Sequence, residues 1–346
     1  MTPDPWAVLA AAMPAIPSVS AVVWQGGQTR LDVTLGMACL DPGVPAADGQ
    51  VYDLASLTKV LAGALVAASC SRDLGVLDVP LTHHFPDAPA GVTPRHLLHH
   101  DSGLPAVAPL FAGLEPGVVD RRWVLDALAA VQPEAPPGVR SVYSDLGFLW
   151  LLRWLEHVGD APLDTLVAER VAGPLGARLS WGDPTAAATE LDPVRGLIRG
   201  TVHDPNAAAM GGVSTHAGLF ASAREVARVG VAVLDAIAGR PSPLDGPTLR
   251  AFATTRGRGS HVLGWDTPTR GGYTSTGSAF PDDAIGHLGF TGTSIWLVPS
   301  WDLVAVLLTN RLHPRDERSA IRALRPAFHD AVSATWGRGA GRDRPA

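Results

Sequence analysis

The only lysine in the chain, Lys59, stands three positions after a serine in the run Ser56-Leu57-Thr58-Lys59. Spacing of i to i+3 puts the two side chains on one face of a helix. All the rest of the 27 basic residues are arginine, the bias of a GC-rich coding sequence in which arginine serves wherever a generic positive charge suffices. Arginine keeps its proton in a protein, whereas lysine can release one. Inside the apolar helix expected over residues 56–71, Lys59 would be desolvated. That lowers an amine's pKa and lets it take the proton of Ser56. A serine at a helix N-terminus also has free backbone N–H groups and the positive end of the dipole beside it, and both favour an oxyanion. The plainer alternative is an N-capping serine and a lysine that snorkels to the surface.

Two further clusters carry possible chemistry. Tyr143-Ser144-Asp145 follows a Pro136-Pro137-Gly138 turn and precedes a helix expected over residues 146–158. A tyrosine on such a loop can reach across a cleft and relay protons beside an ammonium, and Asp145 can pair with that ammonium. The alternative is a capping Asp145 with Tyr143 packed on the core. In the run Gly286-His287-Leu288-Gly289-Phe290-Thr291-Gly292, the glycines let backbone approach a ligand closely. On an edge strand, the Phe290 N–H could complete an oxyanion hole with that of Ser56. His287 could polarise the substrate or hold its carboxylate. The alternative is a strand, a tight turn and a second strand with an incidental histidine.

The order Ser-x-x-Lys, Tyr-x-Asp, His-x-Gly before a C-terminal strand resembles the serine β-lactamase and penicillin-binding superfamily. It is most similar to the class C-related branch, which includes D-Ala-D-Ala peptidases and family VIII carboxylesterases. Residues 93–104, Pro174-Leu175-Gly176, residues 203–207 and His216-Ala217-Gly218-Leu219-Phe220 support the resemblance, which runs from about residue 15 to 330. It implies Ser56 as nucleophile, Lys59 as its base and Tyr143 as proton relay. It also implies an oxyanion hole from the Ser56 and Phe290 N–H groups, and substrate contacts from Asp145, His287 and Gly289. Two positions depart from the pattern. Asp145 stands where the family usually has asparagine, and His287-Leu288-Gly289 replaces Lys-Thr-Gly. Histidine is a weaker cation at neutral pH, and Leu288 lacks the hydroxyl. Acyl transfer is retained in this reading while the usual anchor for a β-lactam carboxylate is weakened.

Those residues need a scaffold, and hydrophobic periodicity outlines one. Helices are expected over Pro5–Ala12, 121–131, 146–158, Ala223–Ala238 and 315–332. Strands are expected over 19–25 and 29–35, joined by Gly26-Gly27, and over 286–290, Ser294–Val298 and Leu303–Thr309. The Gly- and Arg-rich tail from residue 337 is expected to fray. The resulting expectation is an α/β fold of the serine β-lactamase type, an antiparallel sheet flanked by helices with an inserted mostly helical domain. Residues 1–72 and 205–346 would build the sheet domain, residues 73–204 the helical domain, and the site would lie between them. Asp204 and Asn206 fall in a loop that either borders the cleft or is structural, and Trp150 and Trp154 read as core.

Composition excludes several classes. The 346 residues are 46% hydrophobic and 17% charged, which is ample for a packed core. A net charge of −6 favours neither nucleic acid nor an anionic membrane as partner. Two cysteines, Cys39 and Cys70, make neither a disulfide framework nor a zinc site. His83, His84, His96, His99 and His100 lie in a Pro-rich loop and a short helix without a second cluster, so no metal or cofactor is expected. No basic stretch precedes an apolar one at the N-terminus and no apolar run spans a bilayer, so a cytoplasmic protein is expected. The function expected is a serine hydrolase forming an acyl-enzyme on small esters or amides, most of all esters. The alternatives are β-lactamase or D-Ala-D-Ala carboxypeptidase activity, or a non-catalytic acyl-binding or sensor protein on the same fold. Oligomeric state is open.

Overall fold

Gly26 and Gly27 adopt φ values of 59° and 85°, the pair of left-handed residues that lets a two-residue turn match the twist of its strands. The turn joins β1 (Ser18–Gln25) to β2 (Gln28–Cys39). The second strand runs four residues past the expected end because β3 (Val44–Pro45) folds back on it. This computed structural model of the protein describes residues 4–13 and 15–337. The tail beyond residue 337, where fraying was expected, lies outside them.

Seven more strands follow. They are β4 (Val51–Asp53), β5 (Ala188–Asp192), β6 (Gly196–Arg199), β7 (Phe220–Ser222), β8 (Ile285–Leu288), β9 (Ser294–Val298) and β10 (Leu303–Thr309). Among the described residues the largest sheet has the order β3-β2-β1-β10-β9-β8, antiparallel throughout. Chain segments from both ends therefore share one sheet, with β1 paired to β10. Strands β4 and β7 form a separate pair, and β5 and β6 a hairpin. Neither was expected. Each is only three to five residues long, too short for an alternating pattern to emerge.

At strands β1, β10 and β9 the sheet is buried on both faces. Along β10, Leu303, Ala305 and Leu307 face a core shared with α1 (Pro5–Ala12) and the C-terminal helix, residues Arg318–Trp336. Val304, Val306 and Leu308 face the other way, as a period of two requires. That second core continues without a break through α2 (Leu65–Cys70), α3 (Pro94–Leu98), α4 (Arg121–Ala130), α5 (Asp145–Gly159) and α6 (Ala223–Ala238). The C-terminal helix is α7. Gly230 of α6 sits on the sheet so closely that a Cβ there would lie 2.9 Å from Val304 and 3.1 Å from Ile295. The expected 56–71 helix instead starts with a turn, passes through a π-helical stretch over Lys59–Ala64 and ends in α2. The expected 315–332 helix begins three residues later and extends to Trp336.

No helix among the described residues is long and apolar enough to cross a membrane. Leu307 is fully buried in the central strand β10. We expect Leu307→Ala to cost about 2–5 kcal/mol, read as a lowered denaturant midpoint at unchanged slope.

Candidate active site

Strand β4 delivers the chain to Ser56 through an unusual backbone. Ala55 has φ of 46°, a left-handed conformation that costs a non-glycine residue free energy and persists only where surroundings enforce it. Buried Asp53 supplies part of that enforcement. Its Oδ1 accepts the Ala55 N–H at 2.8 Å, and its Oδ2 accepts the His203 N–H at 2.7 Å. The Leu54 N–H donates to the Leu219 carbonyl at 3.0 Å. From the other side, the β8–β9 turn clamps the same segment. Thr291 Oγ1 donates to the Asp53 carbonyl at 2.8 Å and Thr293 Oγ1 to the Leu54 carbonyl at 3.0 Å.

Lys59 is fully buried. Its Nζ donates to Asp145 Oδ1 at 2.6 Å, to Ser56 Oγ at 3.1 Å and to the His216 carbonyl at 3.2 Å. Those three partners use all the donors of an ammonium. The expectation of a lysine pKa lowered by burial is corrected here. Burial does work against the charged form, but the Asp145 carboxylate and the Tyr143 phenol outweigh it, and Lys59 is held above the usual lysine range. Spacing along the sequence could not reveal this, because the counter-charge lies 86 residues away.

Tyr143 lies over the lysine, whose Nζ is 4.8 Å from the ring centroid. Tyr143 is 39% exposed as a residue, and its phenol interacts with Lys59 and Ser56. Burial raises the phenol pKa, against the pull of Lys59. Asp145 is the first residue of α5, whose N-cap Ser144 accepts the Gly147 N–H at 3.1 Å. An anion there also meets the positive end of the helix.

The expected strand 286–290 stops at Leu288, since the Gly289 N–H turns back to the Thr293 carbonyl at 2.8 Å. A Cβ on Gly289 would fall 1.9 Å from Thr293 Oγ1 and 2.6 Å from the Leu54 carbonyl oxygen. Only glycine permits this approach, which seats the β8–β9 turn against the segment that leads into Ser56. Neither the Ser56 nor the Phe290 N–H has an acceptor among the described residues. His287 is buried on β8, and its Nδ1–H donates to the Leu288 carbonyl at 2.8 Å. Burial, then Lys59 and His261, push its pKa well below the usual histidine range. It is therefore uncharged at neutral pH, and the expectation that it could hold a substrate carboxylate loses its electrostatic basis.

Two features were not anticipated. Asp204 Oδ1 accepts from His216 Nε2 at 2.8 Å, and His216 Nδ1 pairs with Ser214 Oγ at 2.7 Å. Burial would raise the Asp204 pKa, but His216, with a contribution from Lys59, brings it to about 2. The 203–207 loop thus borders the lysine, a placement the sequence left open. The second is a group of imidazoles, His100, His261 and His287, each offering a nitrogen within 4.8 Å of the others. Such a trio could suggest a metal. The hydrogen bond from the Ser144 N–H to His100 Nδ1 at 3.0 Å opposes it. That bond puts the ring hydrogen of neutral His100 on Nε2 and leaves no free lone pair for an ion.

Beyond His203, whose ring stacks on Phe290 at 5.7 Å, opens a pocket of about 740 Å³ walled in part by Phe111, Leu114, Val119, Trp181 and Pro205.

A buried lysine bonded to a serine and a carboxylate, a tyrosine over it and a glycine turn against the backbone leading to the serine belong to one class, the serine hydrolases of β-lactamase fold. The chain belongs to the beta-lactamase family, whose model matches residues 7–327. It is 29% identical over 317 residues to an Escherichia coli (strain K12) protein named as a D-alanyl-D-alanine carboxypeptidase, covering 80% of this chain and 73% of that one. It is similar in fold to EstCE1, a hydrolase with promiscuous acyltransferase activity, with TM-score 0.74, 22% identity and coverage of 95% and 97% of the two chains. A class C beta-lactamase from Rhodobacter sphaeroides superposes with TM-score 0.69 at 20% identity, covering 95% of this chain and 99% of that one.

Two outcomes follow from the geometry. Asp145→Asn removes the carboxylate that holds the Lys59 pKa up, so deprotonated lysine becomes available at lower pH. kcat/KM should rise toward alkaline pH as the Lys59–Tyr143 pair loses a proton, this rise should move down by about one pH unit or more in Asp145→Asn, and a profile that stays in place would refute the assignment of that pair. Gly289→Ala drives a methyl group into Thr293 and the Leu54 carbonyl, and kcat/KM on esters should fall at least about tenfold with the circular dichroism spectrum preserved.

Proposed function

We propose that the protein hydrolyses small esters through a covalent acyl-enzyme, with Ser56 as nucleophile and the Lys59–Tyr143 pair as its proton acceptor and donor. The observation that carries the reading is Lys59 Nζ bonded at once to Ser56 Oγ and Asp145 Oδ1. Because both pKa values of the pair are raised, the reactive form is the fraction that has lost one proton, shared between amine and phenol. In that form the Ser56 proton passes to Lys59 as Oγ attacks the carbonyl carbon. The Ser56 and Phe290 N–H groups receive the oxyanion. Collapse breaks the ester bond, and the leaving alkoxide takes a proton through Tyr143. Water then repeats the sequence on the acyl-enzyme, and the carboxylic acid departs. We further propose residues 1–72 with 205–346, and 73–204, as the two units that flank this cleft.

Electrostatics favours neutral esters over β-lactams. A lactam is held partly by its carboxylate, and here the third motif offers a neutral imidazole and a leucine while the Lys59 ammonium is already engaged by Asp145. Losing one charge-assisted contact is worth about 1.5–3 kcal/mol, or roughly ten- to over a hundredfold. The apolar pocket beside His203 suits the hydrocarbon part of an ester. A D-Ala-D-Ala carboxypeptidase is the second reading, supported by the name of the Escherichia coli relative.

A fluorophosphonate should add once, at Ser56, and Ser56→Ala should abolish labelling and turnover; label on another serine would falsify the nucleophile. Labelling without turnover of any ester or amide would identify an acyl-binding sensor instead. On a single preparation, p-nitrophenyl acetate and butyrate should exceed nitrocefin, penicillin G and a D-Ala-D-Ala peptide in kcat/KM. A lactam or peptide preferred by tenfold or more would overturn the ester reading.

A further inference from the structure

The peptide that carries the Phe290 N–H has a carbonyl at its other end, that of Gly289. That carbonyl accepts a hydrogen bond from Arg325 Nη2 at 2.7 Å, and the same nitrogen donates to the Thr293 carbonyl at 2.8 Å. The next peptide is held likewise. The Phe290 carbonyl accepts from Arg311 Nε at 2.9 Å and Nη2 at 2.5 Å, and the Arg311 guanidinium lies 4.9 Å from the Phe290 ring centroid. Both peptide units flanking Phe290 are thus pinned by guanidinium groups that lie on the carbonyl side, away from the N–H.

The two arginines differ in one respect. Arg311 is paired with Asp316. Arg325 is 8% exposed, makes no ion pair with a carboxylate among the described residues, and leaves its Nε buried without a partner. Burying an unpaired cation is costly. A neutral amide would tether two carbonyls without that cost, so a tether alone does not account for an arginine. Burial lowers the Arg325 pKa to about 10, which leaves it a cation at neutral pH. Its charge is directed along the Gly289–Phe290 amide. A cation at the carbonyl end polarises the amide, strengthens its N–H as a donor, and prevents the peptide from flipping that N–H away from Ser56.

We propose that Arg325 is a positioning residue for acyl transfer, which acts through the Gly289–Phe290 peptide to orient and polarise the oxyanion-binding N–H of Phe290. The proposal rests on the reading of Ser56 as nucleophile and of the Phe290 N–H as part of its oxyanion hole. The N–H serves charge that develops in the transition state, so Arg325 affects kcat and leaves ground-state binding nearly untouched.

Arg325→Gln keeps N–H donors and discards the charge, whereas Arg325→Lys keeps the charge on a different stem. With p-nitrophenyl acetate, Arg325→Gln should lose roughly ten- to a hundredfold in kcat, less than the 10²–10³ that removal of a whole oxyanion donor costs, at nearly constant KM. Arg325→Lys should stay within about tenfold of the unaltered enzyme. The second readout is the infrared carbonyl stretch of an acyl-enzyme made with a 13C-carbonyl-labelled ester. A weaker N–H donor lets that stretch rise in Arg325→Gln, a change that a merely destabilised fold does not produce. Unchanged kcat and stretch in Arg325→Gln, or an equal fall in both variants, overturns the proposal. Should Arg325→Gln not fold, Arg325→Lys decides alone, and a loss beyond about tenfold overturns it. If the unaltered protein forms no acyl-enzyme, the nucleophile reading falls and this inference with it. If it acylates normally and the variants match it, only the role of Arg325 is lost.

Discussion

A lysine ammonium with no exposed surface needs a counter-charge and a hydrogen-bond acceptor for each of its protons, and that requirement organises the site. Asp145 at 2.6 Å meets the first need, and Ser56 Oγ with the His216 carbonyl completes the second. These partners come from the start of α5, from the turn before the π-helical stretch and from the segment preceding β7. One buried charge therefore ties three distant stretches of chain together. Removing a single partner of such a pair leaves a charge buried alone, which is strongly destabilising, whereas the pair itself adds little net stability. The interaction is better understood as a register device that holds the serine, the tyrosine loop and the 216 segment in one arrangement.

Around that pair, the backbone is held in positions it would not choose. The left-handed Ala55 and the contact of Gly289 with the Leu54 carbonyl depend on each other. Asp53 fixes one side of the turn, and Thr291 and Thr293 fix the other. Local strain persists where surroundings over-determine it. Here the surroundings are the edge strand β8 and the short pair β4–β7, which is why so small a piece of sheet matters to the chemistry.

How much of this was legible in the sequence varied with the range of the interaction. Strands β1, β9 and β10 show in the pattern because buried strands are dense in apolar residues, and the Gly26-Gly27 turn is a local signal. Ser56 and Lys59 stand out because they share one helical turn in a chain with a single lysine. The sign of the Lys59 pKa shift was not legible, since it depends on Asp145 and Tyr143 arriving from another part of the chain. Asp204 was visible in a loop that either borders the cleft or is structural, and His216 only as part of a motif. His261 comes from an irregular segment with no periodic signal, and it meets His100 and His287 only in the folded chain. Arg325 was hidden by its type, because one arginine among so many attracts no notice until its guanidinium is seen behind a particular carbonyl.

The distribution of charge bears on selectivity. In the cleft, Lys59 is neutralised by Asp145, Asp204 adds a second carboxylate nearby, and the imidazole of His287 is uncharged at neutral pH. The cations Arg311 and Arg325 are buried behind the β8–β9 turn, where they meet carbonyl oxygens and cannot bind a carboxylate on a substrate. A negative charge present in the ground state therefore meets a lysine whose charge is already balanced and an uncharged imidazole. In the proposed mechanism, a negative charge that forms on the carbonyl oxygen during attack would be met instead by N–H dipoles with guanidinium charge behind them. Interactions that strengthen only as the transition state forms raise the rate, and those that hold the substrate equally well throughout do not. In the mechanism proposed above, sequestering the cations behind the backbone would let one site discriminate against anionic substrates and stabilise an anionic transition state.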